Sequence, residues 1–260
     1  MESGMKNLLV ALVCTLLCVS GAARGVKQYT VQVIKEYPHD KEAYTQGLFF
    51  YDGVLYESTG LHGGSSLRKV DLATGKVLEK KNLNRKYFGE GSCVVGGQLY
   101  MLTWMENVAF IFDPATLEYR RTLPYRREGW GLAALPEAEG KAVMVASDGS
   151  SNLYWLDENL NTVKTVKVTL GERPLRFLNE LEFIDGKIWA NVYTTDNIAI
   201  IDPGTGAVTG IVDCSGLIPS DRRTPDMDVL NGIAQAPDGS IVLTGKNWPR
   251  VFAVKLVEVK

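Results

Sequence analysis

Histidine and cysteine, the side chains that most often bind catalytic zinc, are scarce in this chain. Its 260 residues include two histidines, His39 and His62, and four cysteines. Neither histidine has a partner at zinc-ligand spacing, and we expect both to lie on the surface or in loops. This scarcity argues against zinc-dependent hydrolysis and against a Ser-His-Asp triad. We expect no metal and no cofactor.

A strong charge of either sign is also missing. The chain has 28 lysine and arginine residues against 30 aspartate and glutamate residues, with no run of basic residues. Nucleic acids and anionic membrane surfaces attract clustered positive charge, so neither is an expected partner. Peptides and small polar molecules stay open as partners.

A long apolar run occurs at the start of the chain. Residues 8–23 are apolar or small, follow Lys6 and end in small residues before Arg24. The run is too short for a confident membrane span of about 20 residues. The pattern predicts a secretory signal peptide over residues 1–23 and a mature chain over 24–260. The protein is therefore expected to be exported, periplasmic or secreted, and free of the membrane after cleavage.

Cleavage of the signal would remove half of the cysteines. Cys14 and Cys18 lie within it, which leaves Cys93 and Cys214 in the mature chain. Cys93 lies in an apolar strand segment, where a buried free thiol is the commoner state. One disulfide is the alternative in an exported protein.

What the chain does have is an internal repeat. Five predicted strands each start at a glycine followed closely by hydrophobic residues, and these glycines are 44, 43, 46 and 53 residues apart. They are Gly53, Gly97, Gly140, Gly186 and Gly239. This period is typical of a β-propeller blade. The sequence therefore predicts an all-β fold, a five-bladed β-propeller with four-stranded antiparallel blades, as a single domain over residues 24–260.

The ends of the repeats predict how the ring closes. Aspartate turns follow the third strand of the first four repeats, at Asp71, Asp113, Asp157 and Asp202, and we expect these side chains to be structural. The last repeat lacks its outer strand. Residues 29–37 alternate apolar and polar and are predicted to supply it, which would close the ring and cover both sheet edges.

The strand order of a propeller brings two sets of loops to one rim, those before each first strand and those after each second strand. In this chain both sets are rich in Trp, Glu, Asn and Gln, and we expect them to form the functional mouth. The longest repeat interval carries its extra residues at 214–228. This segment is predicted to lie on the same rim, as a polar lid or specificity loop or as an ordered surface excursion.

Carboxylate acid/base catalysis is the simplest enzymatic option left by the scarcity of histidine. Glu90 is the leading candidate, because Gly89 and Gly91 allow close backbone approach and leave its carboxylate as the only side chain there. The alternative is that Gly89-Glu90-Gly91 only forms a tight entry into a strand, with the Glu90 side chain in solvent. Three other glutamates on the rim are alternative candidates for the acid/base residue. They are Glu128, expected to cap a turn, Glu180, and Glu182, expected to point into the stack of blades.

Four of the tryptophans divide by their place in the repeat. Trp104, Trp130 and Trp248 fall at rim positions, whereas Trp189 falls inside a second strand and is expected to pack in the core. The rim group predicts an aromatic cup, which suits a small polar organic group better than a metal ion.

Ten short segments, spread in order over the mature chain, carry a resemblance to a known family. They are YTQGL (44–48), YESTG (56–60), FGEG (88–91), LTW (102–104), EGWG (128–131), SDG (147–149), LNELE (178–182), IWAN (188–191), LNGIA (230–234) and TGKNWP (244–249). Together they resemble the plant- and bacterial-type glutaminyl-peptide cyclotransferases. The resemblance implies a metal-independent five-bladed propeller without a cofactor. It also implies conversion of the N-terminal glutaminyl residue of a peptide or protein to 5-oxoproline, with release of ammonia.

The resemblance also implies roles for rim residues. Glu90 would accept a proton from the substrate α-amine and pass one to the departing ammonia. Trp104 and Trp130 would form walls that enforce a compact substrate conformer, and Gln46 and Asn179 would hydrogen-bond the amide or the peptide carbonyl.

Three further residues complete the expected substrate-binding set. Lys246 is the candidate for stabilising the oxyanion, although it could instead pair with Glu182 or Asp148. Asn231 and Trp248 are expected beside it on the rim. The protein is expected to act as a monomer.

Two other functions are compatible with the same fold. One is a binding propeller without catalysis, whose tryptophan cup holds a sugar or a peptide terminus. The other is a glycosidase, which needs two carboxylates about 5 to 9.5 Å apart. Glu90 with Glu182 or with Asp148 could form such a pair.

Overall fold

Short β-strands joined by tight turns make up most of the chain, as the repeat predicts. The computed structural model describes residues 25–260. The predicted signal peptide, residues 1–23, lies outside the described residues.

The strands follow one another in groups of four. The first strand, β1, spans Lys27–Pro38, and three four-stranded antiparallel sheets come after it. The strands of these sheets are β2 (Thr45–Tyr51), β3 (Val54–Thr59), β4 (Ser66–Asp71) and β5 (Lys76–Asn82); β6 (Gly89–Val95), β7 (Gln98–Thr103), β8 (Val108–Phe112) and β9 (Tyr119–Pro124); β10 (Leu132–Glu139), β11 (Ala142–Ser147), β12 (Asn152–Leu156) and β13 (Thr162–Lys167).

The second half of the chain adds a hairpin and a larger sheet. The hairpin consists of β14 (Thr169–Leu170) and β15 (Arg173–Pro174). The remaining strands are β16 (Leu178–Ile184), β17 (Lys187–Val192), β18 (Asn197–Ile201), β19 (Val208–Asp213), β20 (Leu230–Gln235), β21 (Ile241–Gly245) and β22 (Arg250–Glu258). A 3-10 turn at Ser220–Arg222 precedes β20.

The N-terminal strand β1 completes the last sheet. It pairs antiparallel with β22 from Tyr29↔Glu258 to Pro38↔Arg250, which confirms the predicted closure. Its first residues also pair in parallel with β19, so that β16–β19 and β20–β22 become one eight-stranded sheet. Because β1 covers the edges of both neighbours, neither β19 nor β22 presents a free edge along this stretch.

The sheets are arranged like the blades of a propeller. Their innermost strands contact one another in cyclic order, β2 to β6, β6 to β10, β10 to β16, β16 to β20 and β20 back to β2. Second and third strands are largely buried, whereas β5 and β9 are largely exposed. Hydrophobic clusters fill the spaces between neighbouring sheets, so each sheet is stabilised by apolar burial on its faces.

The aspartates after the third strands hold turns, as expected. Asp71 accepts the backbone N–H of Thr74 at 2.8 Å, and Asp202 accepts the N–H groups of Gly204 and Thr205. Asp113 and Asp157 do the same in their own sheets. These carboxylates are therefore structural.

Both cysteines and Trp189 lie in the core. Cys93 and Cys214 are buried free thiols in separate hydrophobic clusters, as the sequence predicts. Trp189 packs in the same cluster as Cys214.

His39 lies in a loop, one of the two places expected from the sequence, but it is not at the surface. Its side chain is 3 % exposed, with Nδ1 at 2.6 Å from the Trp248 carbonyl oxygen and Nε2 at 2.9 Å from Glu57 Oε1. Arg68 Nη1 lies 3.7 Å from the other oxygen of Glu57 and 2.7 Å from Asp40. The buried His39, Glu57 and Arg68 and the partly exposed Asp40 thus form one polar cluster, which joins the loop after β1 to β3, β4 and the loop after β21. His62 is exposed, as expected.

No helix in the part of the chain that the structure describes is both long enough and apolar enough to cross a membrane.

Candidate active site

Irregular pairing at the start of four inner strands creates the centre of the rim. In β2, β6, β16 and β20 the register against the second strand shifts by one residue, which is a β-bulge. The second residue of each of these strands is polar, and each lies in the bulge. These residues are Gln46, Glu90, Asn179 and Asn231. A bulge breaks the alternation of side chains between the two faces of a sheet and re-aims the residue it contains.

Three of these four side chains form one hydrogen-bonded chain. Gln46 Nε2 donates to Glu90 Oε1 at 2.9 Å. Asn231 Nδ2 donates to Gln46 Oε1 at 3.2 Å and to the Thr45 carbonyl at 2.9 Å. The Asn231 contact orients the Gln46 amide, so that its N–H group faces the carboxyl group of Glu90.

Glu90 is held in an environment that disfavours its charge. The residue is 4 % exposed. Burial raises its pKa well above the ordinary value, Lys246 opposes the rise, and the carboxylates of Glu106 and Glu128 add to it. Raising the pKa of a carboxyl group makes it a stronger proton acceptor, the property that a general base needs.

The glycines on either side of Glu90 allow the close approach that the sequence predicts. A side chain at Gly91 would collide with the backbone of Trp130 and Leu132, and one at Gly89 would collide with the Thr59 carbonyl. Gly91 N–H also donates to the Trp130 carbonyl oxygen at 2.7 Å. Glu90 therefore lies where three neighbouring sheets meet.

Two side-chain amide oxygens of the four bulge residues lack a hydrogen-bond donor among the described groups. Asn179 Oδ1 and Asn231 Oδ1 are buried and accept no hydrogen bond from the groups that the structure describes. A buried acceptor without a donor costs free energy, so each oxygen is ready to accept an N–H group from a bound molecule. Gly131 packs against the Asn179 backbone so closely that a Cβ there would collide with its carbonyl.

Lys246 lies against two aromatic rings. Its Nζ lies 4.7 Å from the ring centre of Tyr44 and 5.0 Å from that of Tyr193. Burial lowers its pKa, and Glu90 and Asp228 partly offset this effect. Within the described residues it makes no ion pair with Glu182 or Asp148, the alternative considered from sequence, so its N–H groups stay available to a ligand.

Tyr44, Tyr193 and Asp228 are site residues that the sequence analysis did not single out. Tyr44 Oη donates to Asp228 Oδ2 at 3.0 Å, and burial together with the Asp228 charge raises the pKa of Tyr44. Asp228 N–H also donates to the Lys246 carbonyl. The repeat did carry a signal for these two tyrosines. Tyr44 immediately precedes β2 and Tyr193 immediately follows β17, the positions that Phe88 and Trp104 occupy beside β6 and β7.

The segment 214–228 is anchored at both ends. Leu217 and Ile218 are buried in a hydrophobic cluster, and Asp228 is bound as described. Between them, Arg222 pairs with Glu36 at 3.1 Å and Arg223 with Asp196 at 3.2 Å. The segment is thus an ordered excursion whose last residue reaches the site.

Trp104 and Trp130, the predicted walls of the mouth, are both partly exposed. Trp104 contacts Phe88 edge to face with ring centres 5.6 Å apart, and Trp130 contacts Tyr193 in the same way at 5.5 Å. Their indole N–H groups both donate to Glu128 Oε2, at 3.0 and 3.1 Å. Glu128, expected to cap a turn, binds these two rings instead.

The prediction that Trp248 lines the mouth is wrong. Trp248 is 1 % exposed and packs with Phe252 in the core. Its Nε1 donates to the Asp228 carbonyl at 2.8 Å. The ring covers Gly245, where a Cβ would collide with it. Trp248 therefore supports the loop that carries Lys246 and does not face the site.

The remaining rim carboxylates are engaged elsewhere. Glu180 is buried and accepts the backbone N–H groups of Leu48 and Ile233, which join three inner strands. Burial raises the pKa of Glu182 to about 8, and its side chain faces the backbone of Gln235. Asp148 accepts the Tyr154 hydroxyl at 2.8 Å.

Among the side chains that the structure describes, those of residues 25–136 and 140–260, no group of three or more His, Cys, Asp or Glu is arranged to hold a metal ion. The chemistry that the described site offers is a carboxyl group of raised pKa, a lysine, buried amides and aromatic walls. Fold and site together define a propeller-like all-β protein with acid/base character in an aromatic mouth.

Comparison with known proteins assigns the family. The family model for glutamine cyclotransferase matches residues 7–256. A glutaminyl-peptide cyclotransferase of Arabidopsis thaliana is 41 % identical over 239 residues, which are 87 % of this chain and 71 % of the relative. The crystal structure of Myxococcus xanthus glutaminyl cyclase superposes with a TM-score of 0.81 at 36 % identity, and covers 90 % of this chain and 100 % of its own. The chain belongs to the glutamine cyclotransferase family.

A more distant likeness concerns the fold alone. The structure of streptogramin B lyase has a TM-score of 0.55 to this chain at 10 % identity, covering 88 % of this chain and 98 % of its own.

Proposed function

We propose that this protein is a glutaminyl-peptide cyclotransferase in which Glu90 transfers the proton. It converts the N-terminal glutaminyl residue of peptides or proteins to 5-oxoproline and releases ammonia. The observation that carries the proposal is the buried Glu90 carboxyl group, whose pKa is raised and whose Oε1 is held by Gln46. The relatives named above carry this activity in their names.

The reaction is an internal substitution at the side-chain amide. The neutral α-amine attacks the amide carbon, a new carbon–nitrogen bond forms, and a tetrahedral oxyanion results. The bond from that carbon to the amide nitrogen then breaks, and ammonia leaves after gaining one proton. Glu90 takes a proton from the attacking amine and delivers one to the departing nitrogen. One carboxyl group can serve both, because the two nitrogens share a carbon in the intermediate.

Substrate orientation supplies much of the remaining rate. A free α-amine has a pKa of about 7.7 to 8, so deprotonating it costs little near neutral pH. The harder task is to fold the glutaminyl side chain back onto its own amine. Trp104 and Trp130 flank the mouth as walls for this compact conformer. Asn179 Oδ1 and Asn231 Oδ1, both without partners among the described residues, accept N–H groups of the substrate.

Lys246 stabilises the oxyanion. Its ammonium lies against the rings of Tyr44 and Tyr193, which fix its position without occupying its N–H groups. A fixed donor in a site shielded from water stabilises developing negative charge without having to reorganise.

We also propose that the fold is a five-bladed propeller. The cyclic contact of β2, β6, β10, β16 and β20 supports this count. A second support is that the eight-stranded sheet divides at the pairing of β1 with β19 into two groups of four strands.

Export and a monomeric state are proposed on the sequence pattern. Mass spectrometry of the protein recovered outside the cytoplasm is expected to give an N-terminus near residue 24. Light scattering is expected to give the mass of one mature chain. An intact N-terminal segment on the recovered protein would contradict export by cleavage.

A coupled assay of ammonia release tests the activity. The protein is expected to release ammonia from a Gln-initiated dipeptide, and neither ammonia from a Glu-initiated dipeptide nor sugar from a glycoside. Glu90→Gln is expected to fold normally and to lose about 10²-fold to 10⁴-fold in turnover. Glu118→Gln, on an exposed turn, is the matched control and keeps full activity. Near wild-type turnover by Glu90→Gln would remove Glu90 from the proton transfer.

A further inference from the structure

One carboxylate oxygen connects the two walls of the mouth. Glu128 Oε2 accepts the indole N–H of Trp104 at 3.0 Å and that of Trp130 at 3.1 Å. The two tryptophans belong to neighbouring sheets, since Trp104 follows β7 and Trp130 precedes β10. A single acceptor shared by two donors therefore joins two side chains that come from neighbouring sheets.

The backbone beside Glu128 is held against the same wall. Gly129 N–H donates to the carbonyl oxygens of Thr103 and Trp104, at 3.1 and 3.0 Å. A Cβ at position 129 would collide with the Thr103 carbonyl, so only glycine allows this approach. Because the backbone is fixed at this point, the Glu128 carboxylate has a short and defined reach to both indoles.

Other contacts also restrain each ring. Trp130 lies over Gly149, where a Cβ would collide with the ring, and meets the edge of Tyr193. Trp104 meets the edge of Phe88. These contacts limit movement of each ring face, and the Glu128 carboxylate limits rotation within the remaining space. Hydrogen bonds to an ionised acceptor are about twice as strong as neutral ones, which suits this role.

We propose that Glu128 is a positioning residue that holds Trp104 and Trp130 at the separation required to clamp the folded glutaminyl side chain. The expected effect on KM rests on the proposed function. The two hydrogen bonds that Glu128 accepts do not depend on it. The negative charge of Glu128 has a separate effect. Together with the charge of Glu106, it raises the pKa of Glu90.

The test separates hydrogen bonding from charge with three variants. Glu128→Ala removes both effects, while Glu128→Gln removes the charge and keeps an amide oxygen that accepts two N–H groups. Glu106→Gln removes the other carboxylate charge near Glu90 and touches neither indole. The measurements are kcat and KM on a Gln-initiated dipeptide, and the indole N–H resonances in ¹⁵N-tryptophan NMR spectra, assigned with Trp104→Phe and Trp130→Phe.

Glu128→Ala is expected to move the indole resonances of both Trp104 and Trp130. It is also expected to raise KM about tenfold, the effect of losing a pair of charge-assisted hydrogen bonds that order the binding walls. Because the hydrogen bonds of an amide oxygen are neutral and about half as strong, Glu128→Gln is expected to recover about half of the lost free energy, which leaves KM about threefold above wild type, and to return both resonances most of the way to their original positions. Glu106→Gln is expected to leave both resonances in place.

Two results would overturn the proposal. One is a Glu128→Ala protein with unmoved indole resonances and wild-type KM. The other is equal impairment of KM in the Ala and Gln variants, which would assign the effect to charge. If the wild-type protein released no ammonia, the proposed function would fail, and the resonances would still report whether Glu128 holds both rings. Thermal unfolding of each variant shows that the comparison is made on folded protein.

Discussion

Gln46 Nε2 donates a 2.9 Å hydrogen bond to Glu90 Oε1, and both residues lie in the β-bulges that open neighbouring inner strands. Among the described residues, this amide is the one hydrogen-bond partner of the Glu90 side chain. It leaves the second carboxyl oxygen, Oε2, for the substrate.

Replacing Gln46 by alanine removes this partner. Glu90 would then rotate more freely, and orientation of a proton-transfer group is worth at least one order of magnitude in rate. We expect Gln46→Ala to lower kcat/KM by about 10-fold to 100-fold in the ammonia-release assay. Gln46→Glu is a useful companion, because it keeps the size of the side chain and puts a second carboxyl group against Glu90. Wild-type kcat/KM in the alanine variant would show that Glu90 needs no orientation from Gln46.

Lys246→Met tests the electrostatics of the site by its pH dependence. The Lys246 charge lowers the pKa of Glu90, so removing the charge raises that pKa further. The limb of the kcat/KM profile that belongs to Glu90 is therefore expected to move to higher pH. Loss of a preorganised donor to the oxyanion is expected to reduce kcat by about 10²-fold to 10³-fold. An unmoved profile with a normal kcat would place Lys246 outside the site chemistry.

The buried His39–Glu57 pair is expected to make stability depend on pH. Burial lowers the pKa of His39, but the Glu57 carboxylate and the Trp248 carbonyl outweigh it, so the pKa is raised above 6.5. The contribution of His39 to the free energy of unfolding is therefore complete below pH 6.5 and is lost as the pH rises through the folded-state pKa of His39. Burial likewise raises the pKa of Glu57, but His39 and Arg68 outweigh it, so this pKa is lowered from 4.5. The Glu57 contribution is complete above pH 4.5 and is lost as the pH falls through its folded-state pKa.

His39→Gln measures this contribution in urea unfolding at pH 6 and pH 9. Breaking one partner of a buried ion pair is expected to cost about 3 kcal/mol at pH 6, and less at pH 9, because the wild-type contribution falls as the pH rises through the raised pKa of His39. The exposed His62 provides the control, since His62→Gln is expected to unfold like the wild type at both values. An equal loss at the two pH values would show that His39 contributes by packing alone.

Trp248 and Trp104 are expected to respond differently to the same substitution. Trp248→Phe replaces a buried indole by a smaller ring and removes its hydrogen bond to the Asp228 carbonyl. We therefore expect the free energy of unfolding to fall by about 2 kcal/mol, with KM near wild type. Trp104→Phe is expected to change stability little and to raise KM, because this ring is a wall of the mouth. Urea unfolding and steady-state kinetics on both variants distinguish the two roles. A raised KM and unchanged stability in Trp248→Phe would return Trp248 to the mouth.

A side chain at Gly131 is expected to disturb the site through the backbone. Its Cβ would collide with the Asn179 carbonyl oxygen, and rigid backbone cannot move aside cheaply. We expect Gly131→Ala to lose about 3 kcal/mol of stability. Gly216→Ala is the matched control, because a Cβ there meets no atom within 4 Å. Equal unfolding midpoints for the two variants would contradict the close approach.

Several features could be predicted from the sequence because they depend on local pattern. The spacing of the strand-initial glycines indicated repeated four-stranded sheets, and the alternation in residues 29–37 correctly predicted that β1 pairs with β22. The Asp-containing turns also follow from short-range hydrogen bonds. The turn contacts join residues that are close in the chain. The pairing of β1 with β22 follows from the repeat, because the last repeat lacks its outer strand.

Other features depended on which side chains meet across sheets. His39 is polar and lies in a loop, and nothing local indicates that Glu57, Arg68 and the Trp248 carbonyl surround it. Trp248 occupies a rim position in the repeat, yet a tight turn over Gly245 directs its ring into the core. In both cases the decisive partners lie far away in sequence or across a turn.

By itself, the sequence determined the sheet-building repeat, the rim on which polar and aromatic residues gather, and Glu90 as the carboxylate between two glycines. Only the tertiary structure decided which rim residues meet. The bulges in β2, β6 and β20 aim Gln46, Glu90 and Asn231 toward one another, Glu128 joins the two tryptophans, and Tyr44 and Tyr193 enclose Lys246. The physical reason is that a bulge and a side-chain rotamer each break the alternation on which sequence reasoning relies, and both are set by packing between neighbouring sheets.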